Sequence, residues 1–174
     1  DGSWRWFQSR GRVFARDRSG SAREVTCTAC DITGLKNAED EARFIAELNE
    51  AFLPLADPEQ SIGTALRMLG EHLGVDRCGY AEVDMEKQQF VVLGEYVRGV
   101  TAPITGRYPL SEFADNERRI LTQNEVTIVN DIDAEAPPGA DLSMYRKGEI
   151  RAMVCVPLDK AGQMMARMAV HQKT

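Results

Sequence analysis

The side chains in this sequence with chemistry to offer are four cysteines, two histidines and a few carboxylates set inside alternating, strand-like runs. Cys27 and Cys30 form a C-x-x-C pair, a spacing used by zinc sites and by dithiol redox centres. No second pair and no nearby histidine completes a zinc set. The pair also lies in the run EVTCTACDIT rather than at a helix start that would stabilise a thiolate, so both thiols are expected to be buried and unreactive. Four cysteines do not make a disulfide framework in a chain of 174 residues, and their usage fits a reducing cytoplasm. His72 sits in a helical stretch and His171 ends a strand. A lone imidazole without a paired nucleophile or ligand does no chemistry, so both are expected to be structural. With no phospho-acceptor histidine box, no ATP-binding glycine loop and no catalytic constellation, the chain is not expected to be an enzyme or to bind a metal.

The elements that would position these residues are organised around one long stretch, Asp31 to Leu55, read as a helix entered from a strand. Leu35, Ala38, Ala42 and Ile45 recur at a spacing of three, four and three, the narrow seam by which two helices pair, so a homodimer is expected. From Phe44 the apolar stripe broadens through Leu48, Phe52 and Leu55 into one that covers a core. Asp31 or Thr33 is the expected cap, with Glu39, Asp40 and Glu41 placed to favour the helix dipole. Net charge changes sign at this stretch. Residues 1–36 hold seven basic against four acidic residues, a net of +3, and residues 37–174 fourteen against twenty-three, a net of −9. Aromatics among the basic residues near the start fit a strand with one solvated face better than nucleic-acid binding. No apolar run approaches the roughly 18 to 20 residues of a membrane span, and a cytoplasmic location is expected.

Before the helix, Ser3 to Ala15 and Ala22 to Ile32 read as a hairpin about a polar turn. After it, Asp57, Pro58 and Gln60 signal a helix start, with Ile62, Ala65, Leu66, Leu69 and Leu73 as its buried stripe and Gly74 as its stop. Cys78–Asp84 and Phe90–Val97 flank the turn at Met85–Gln88, Val126–Val129 is a short strand, and Ala152–Leu158 and Met164–His171 flank the turn at Asp159–Gly162. Between the two hairpins, Arg98 to Gly148 is a crossing segment with a helix over Glu112–Gln123. Two helices, two hairpins and a crossing segment make an α+β fold with an antiparallel sheet.

The first 40 residues resemble the C-terminal end of a PAS domain: a strand opening Asp-Gly with aromatic residues, a turn, a last strand, then Asp31-Ile32-Thr33 starting a signalling helix. From about Phe44 onward the chain resembles a GAF domain. The resemblance is carried by D-P-E-Q-S-I, L-G-V-D-R-C-G-Y-A-E-V-D at Leu73–Asp84, V-T-I-V-N-D-I at Val126–Ile132, R-A-M-V-C-V-P-L at Arg151–Leu158 and M-A-V-H-Q at Met168–Gln172. The expected organisation is residues 1–34 as a PAS end, 35–55 as a linker helix, and 44–174 as a GAF-like antiparallel sheet with helices packed on it. The family's closing helix is missing, and the chain opens without methionine, so a piece of a longer protein is expected.

The resemblance implies a pocket on one sheet face beneath the crossing segment. Strand alternation puts Cys78, Tyr80 and Glu82 on one face and Gly79, Ala81 and Val83 on the other. The small set is expected to meet the helix, leaving Tyr80, Glu82 and Cys78 to line the pocket together with Met153, Cys155, Tyr108 and Phe113. A bilin-bearing relative would carry a cysteine, commonly before histidine, on the crossing helix; Cys78 and Cys155 are on strands, so a covalent bilin is not expected. Haem is not expected either, and no cofactor is assigned. The resemblance implies a sensory input module, as in a bacterial sensor histidine kinase of a two-component system, binding a small cytoplasmic ligand. A ligand-free dimerisation relay is the alternative. A free methionine sulfoxide reductase of this fold is a third reading, and it would need exposed loop cysteines.

Overall fold

Ten residues of strand, a tight polar turn and ten more of strand make the first two elements. The computed structural model describes residues 4–99, 103–113, 115–160 and 163–173, so Asp1, Gly2 and Ser3 of the expected opening and Ala161 and Gly162 of the last turn lie outside the described residues. The chain divides into two compact units, one over residues 1–50 and one over Ala51–Thr174.

In the first unit, β1 (Phe7–Arg16) pairs antiparallel with β2 (Ala22–Asp31), from Phe7 opposite Asp31 to Arg16 opposite Ala22. The turn is built by Asp17, whose Oδ1 accepts from the Ser19 amide at 2.8 Å and the Ser21 amide at 3.0 Å, while Gly20 takes φ of 88°. Helix α1 (Thr33–Phe52) follows, its first amide, Thr33, donating to Asp31 Oδ1 at 2.9 Å. That start corrects one expectation. The first turn holds no acidic residue, and Glu39, Asp40 and Glu41 sit beyond the range over which a helix terminus acts. A second correction concerns Cys27 and Cys30, which are both exposed. Strands β1 and β2 form a sheet of two, so each strand has one hydrogen-bonded neighbour and a small surface on which to bury a side chain.

The second unit opens with α2 (Pro58–Leu73). Asp57 is its N-cap, accepting from the Glu59 amide at 3.2 Å, Pro58 fills the first turn, and Gly74 closes it in the left-handed conformation at φ 66°. Six antiparallel strands follow in the order β5-β4-β3-β8-β7-β6: β3 (Arg77–Asp84), β4 (Gln89–Val97), β5 (Gly106–Pro109), β6 (Thr127–Val129), β7 (Ala152–Lys160) and β8 (Gln163–Gln172). Leu66 of α2, Val75 and Cys78 make the core, with Ile62, Leu69, Tyr80, Tyr96, Met168 and Val170 packed around them. Leu73, expected on the buried stripe, is half exposed at the helix end.

Glycine decides how closely α2 lies on the sheet. A Cβ on Gly70 would overlap the Tyr96 ring, and one on Gly94 would come within 3.3 Å of Ile62 and Leu66. Opposite Tyr80 and Ala81, β4 carries an extra residue: Tyr80 pairs with Gly94 but Ala81 with Val92, a β-bulge that leaves Leu93 unpaired and half exposed.

Between β4 and β7 the crossing segment runs through β5, a 3-10 turn at Leu110–Glu112, and the helices α3 (Asp115–Thr122), α4 (Ile132–Glu135) and α5 (Ser143–Lys147). Helix α3 begins later than the expected Glu112, because the 3-10 turn takes that residue; Ala114, inside the expected range, lies outside the described residues. Strand β5 was not evident in the sequence. Four residues bounded by glycine and proline show no alternation to read, and they are strand because β4 offers them an edge.

Candidate functional site

Register places one set of side chains on the sheet face away from α2. Gly79 of β3 pairs with Glu95 of β4 and with Ala169 of β8, Ala169 pairs with Cys155 of β7, and Arg77 pairs with His171, which pairs with Met153. Gly79, Ala81 and Ala169 carry little bulk, and the crossing segment spans the space they leave. The result is a cavity of about 140 Å³ between sheet and segment, walled by Phe90, Val92, Ile104, Tyr108, Phe113, Ile120, Leu121, Met144, Tyr145, Ile150, Met153 and Cys155, with Arg167 and His171 as its polar lining. An apolar pocket with a few convergent polar groups has the anatomy of a small-molecule site.

Three buried charged side chains tie the crossing segment to the sheet. Arg77, 1% exposed, holds Glu95 through Nε–Oε2 at 3.0 Å and donates from Nη1 to the Gly148 carbonyl at 2.5 Å. Glu95 Oε1 accepts from the Ile104 amide at 3.0 Å. Arg167, also 1% exposed, donates from Nη1 to the Gln123 carbonyl at 2.6 Å and from Nη2 to the Glu125 carbonyl at 2.9 Å, and its Nε lies 3.1 Å from Cys155 Sγ. The segment is therefore pinned near both its ends by Arg77 and Glu95 and in its middle by Arg167, and of these Arg167 lines the cavity. His171 is 8% exposed and its Nδ1 has no hydrogen-bond partner. Burial, and secondarily the Arg77 guanidinium beside it, pushes its pKa down to about 4, so the ring is neutral at neutral pH. Tyr108 donates its hydroxyl to the Ile104 carbonyl at 2.9 Å and meets the Phe113 ring edge-on at 6.2 Å.

Of the expected pocket residues, the structure brings Tyr108, Phe113, Met153 and Cys155 together on the cavity wall. Cys78, Tyr80 and Glu82 are not among them. Cys78 is fully buried in the core beneath α2, where burial raises its thiol to about 11; Tyr80 packs against that core; and Glu82 is exposed. The alternation was read correctly but the faces were exchanged. Gly70 and Gly94 supply the close approach to the helix, which frees Gly79 and Ala81 to open space on the other side. The sequence reading also missed Arg77, Glu95 and Arg167. The available signal was Arg167 inside the apolar run Met164–Val170, at the same parity as Ala169 and His171. On α1, Leu35, Ala38, Ala42 and Ile45 are all exposed. Among the described residues no group of three or more His, Cys, Asp or Glu could hold a metal ion, and no helix is long and apolar enough to cross a membrane.

The sequence matches the GAF domain family model over residues 57–174. The chain belongs to the GAF domain family. GAF domains are sensory and regulatory modules of signalling proteins, and the antiparallel sheet with helices on it is the GAF fold. No protein of curated function matches the sequence significantly. Among solved structures, the GAF domain from a phosphoenolpyruvate-protein phosphotransferase of Coxiella burnetii is similar at 16% identity and a TM-score of 0.62, over 78% of this chain and 79% of that one. A methyl-accepting chemotaxis protein (residues 122 to 287) is similar at 17% identity and a TM-score of 0.60, over 76% and 83%. The free methionine-R-sulfoxide reductase from Neisseria meningitidis, solved with its substrate, is similar at 16% identity and a TM-score of 0.56, over 75% and 71%. At these identities the likeness is one of fold.

Proposed function

We propose that Ala51–Thr174 is a ligand-sensing GAF module that regulates an output domain, as in a bacterial sensor histidine kinase, and performs no catalysis itself. The observation that carries this reading is the cavity of about 140 Å³ between sheet and crossing segment. A ligand in it touches both the sheet and the one segment that the buried side chains hold down, so it can bias where that segment sits. A ligand shifts such an equilibrium only by its differential affinity for the two states. Within Ala51–Thr174 both cysteines lie on strands and are buried, which supports regulation over sulfoxide reduction: Cys78 is sealed in the core and Cys155 is 5% exposed. In this reading residues 1–34 are the end of a PAS domain and the whole works in the cytoplasm.

Filling the cavity tests the assignment. Ala81 is 5% exposed on its floor, and Ala81→Leu is expected to weaken any ligand retained in native mass spectrometry about tenfold or more, since forcing bulk into an occupied space costs about 1–3 kcal/mol. Unchanged retention in the variant would move the site elsewhere.

A second reading is favoured by α1. Its four seam residues are exposed at coiled-coil spacing, Leu35 at 67% and Ile45 at 51%, as a surface awaiting the same helix of another copy would be. In that reading the chain relays an upstream signal through a homodimer. Leu35→Glu with Ala38→Glu is expected to convert a dimer to a monomer by light scattering while leaving the circular dichroism spectrum unchanged. A mass that does not move removes the seam.

A further inference from the structure

Resting on the reading of the cavity as the sensing pocket, we propose that its ligand is a small apolar monocarboxylate, with the carboxylate pairing to Arg167 and the hydrocarbon filling the remainder. The two buried guanidinium groups on this sheet face differ in one respect. Arg77 has a carboxylate partner in Glu95. Arg167, equally buried, is surrounded by two backbone carbonyls, the sulfur of Cys155 and, at 3.6 Å, that of Met164. Among the described residues no carboxylate meets it, and the cavity lining contains neither Asp nor Glu.

An arginine stays charged in proteins, and a buried charge without a counter-charge is costly. Of its five N–H donors, one Nη2 hydrogen is left over once these contacts are counted. His171, the other basic residue of the lining, is uncharged at neutral pH and so does not compete for an anion. One positive charge calls for one negative charge. The apolar wall excludes a strongly hydrated dianion such as phosphate, and the planar guanidinium suits a carboxylate. The size is also restrictive, because a cavity of about 150 Å³ holds one benzene ring. A single ring or a short branched chain, with one carboxylate, fits this description.

The carbonyls of Gln123 and Glu125 now occupy the outer edge of the same guanidinium. A carboxylate that draws Arg167 toward the cavity weakens those two bonds and loosens the segment joining α3 to β6. Ligand entry and segment release are then one exchange of acceptors.

The test is calorimetry of the full chain with isovalerate, benzoate and phenylacetate, each beside its neutral amide. At least one acid is expected to bind with 1:1 stoichiometry, about tenfold or more tighter than its amide, to lose that advantage in Arg167→Met, and to weaken in Ala81→Leu. Because Arg167→Met could unfold the domain, a second arm uses the unaltered chain: the acid, not the amide, is expected to shift the Arg167 Nε–Hε resonance. Acids and amides binding alike would overturn the anionic class while leaving the cavity as a ligand site. Acid binding indifferent to Ala81→Leu would place the anion outside the cavity and overturn the proposal. If neither series binds, the ligand class falls, while the pocket reading is decided separately by ligand retention in Ala81→Leu.

Discussion

Replacing Arg77 by methionine is expected to cost about 3–5 kcal/mol of stability, the penalty of removing one partner of a buried ion pair. The size follows from what is left behind. Glu95, 9% exposed at its side chain, would keep its charge with one oxygen on the Ile104 amide and nothing facing the other, and the Gly148 carbonyl would lose its donor. The pair itself is not the source of the loss, because two charges brought out of water return little net energy even when well matched. The double variant Arg77→Met with Glu95→Gln is therefore expected to recover part of it. Urea unfolding of the four proteins gives a double-mutant cycle with a coupling well above what an exposed pair shows. A single-variant cost below about 1 kcal/mol would mean that water reaches the pair and that the crossing segment is not pinned there.

How much of this was legible in the sequence varies with the range of the interaction. Local chemistry was readable: Asp57, Pro58 and Gly74 bound α2 as their capping behaviour requires, and the alternating runs around Met85–Gln88 are β3 and β4. What a single sequence does not contain is cross-strand register. Cys155 lies opposite Ala169 and Ala169 opposite Gly79, which puts Cys155 and Cys78 on opposite faces. Alternation within each strand is silent on that relation. The small residues were misread for a related reason. Glycine at Gly79 and glycine at Gly94 look alike in sequence, yet one makes room for a cavity and the other for a helix, and only the layer stacked on each tells them apart. Exposure of Cys27 and Cys30 was likewise out of reach, since it depends on what lies over a two-stranded sheet.

His171 should make the folded state sensitive to mild acid. Its pKa in the folded protein is about 4, against about 6.5 in an unfolded chain, so between these values the unfolded state binds a proton that the folded state refuses. Stability therefore rises with pH across this window. It is fully present above about pH 6.5, falls as the pH is lowered, and the loss from this residue saturates below about pH 4. The interval corresponds to about 3 kcal/mol. Desolvation comes first among the causes, and the Arg77 guanidinium on the paired residue of β3 adds to it; the neighbour on β7, Met153, offers no charge to offset either. The depressed carboxylates also lose stability in acid, Asp17, Asp31, Asp84, Asp131 and Asp141 through protonation at and below their ordinary value of 3.8 and Glu39 at and below its ordinary value of 4.5, so their windows begin near the lower end of that of His171 and run beneath it. The difference between the unaltered chain and His171→Leu, followed by urea unfolding from pH 7 to pH 4.5, isolates the imidazole. The variant is expected to show a flatter profile in that range. Parallel profiles would mean that the imidazole takes up its proton without leaving its place between Arg77 and Met153, and hence that this end of the cavity opens to water.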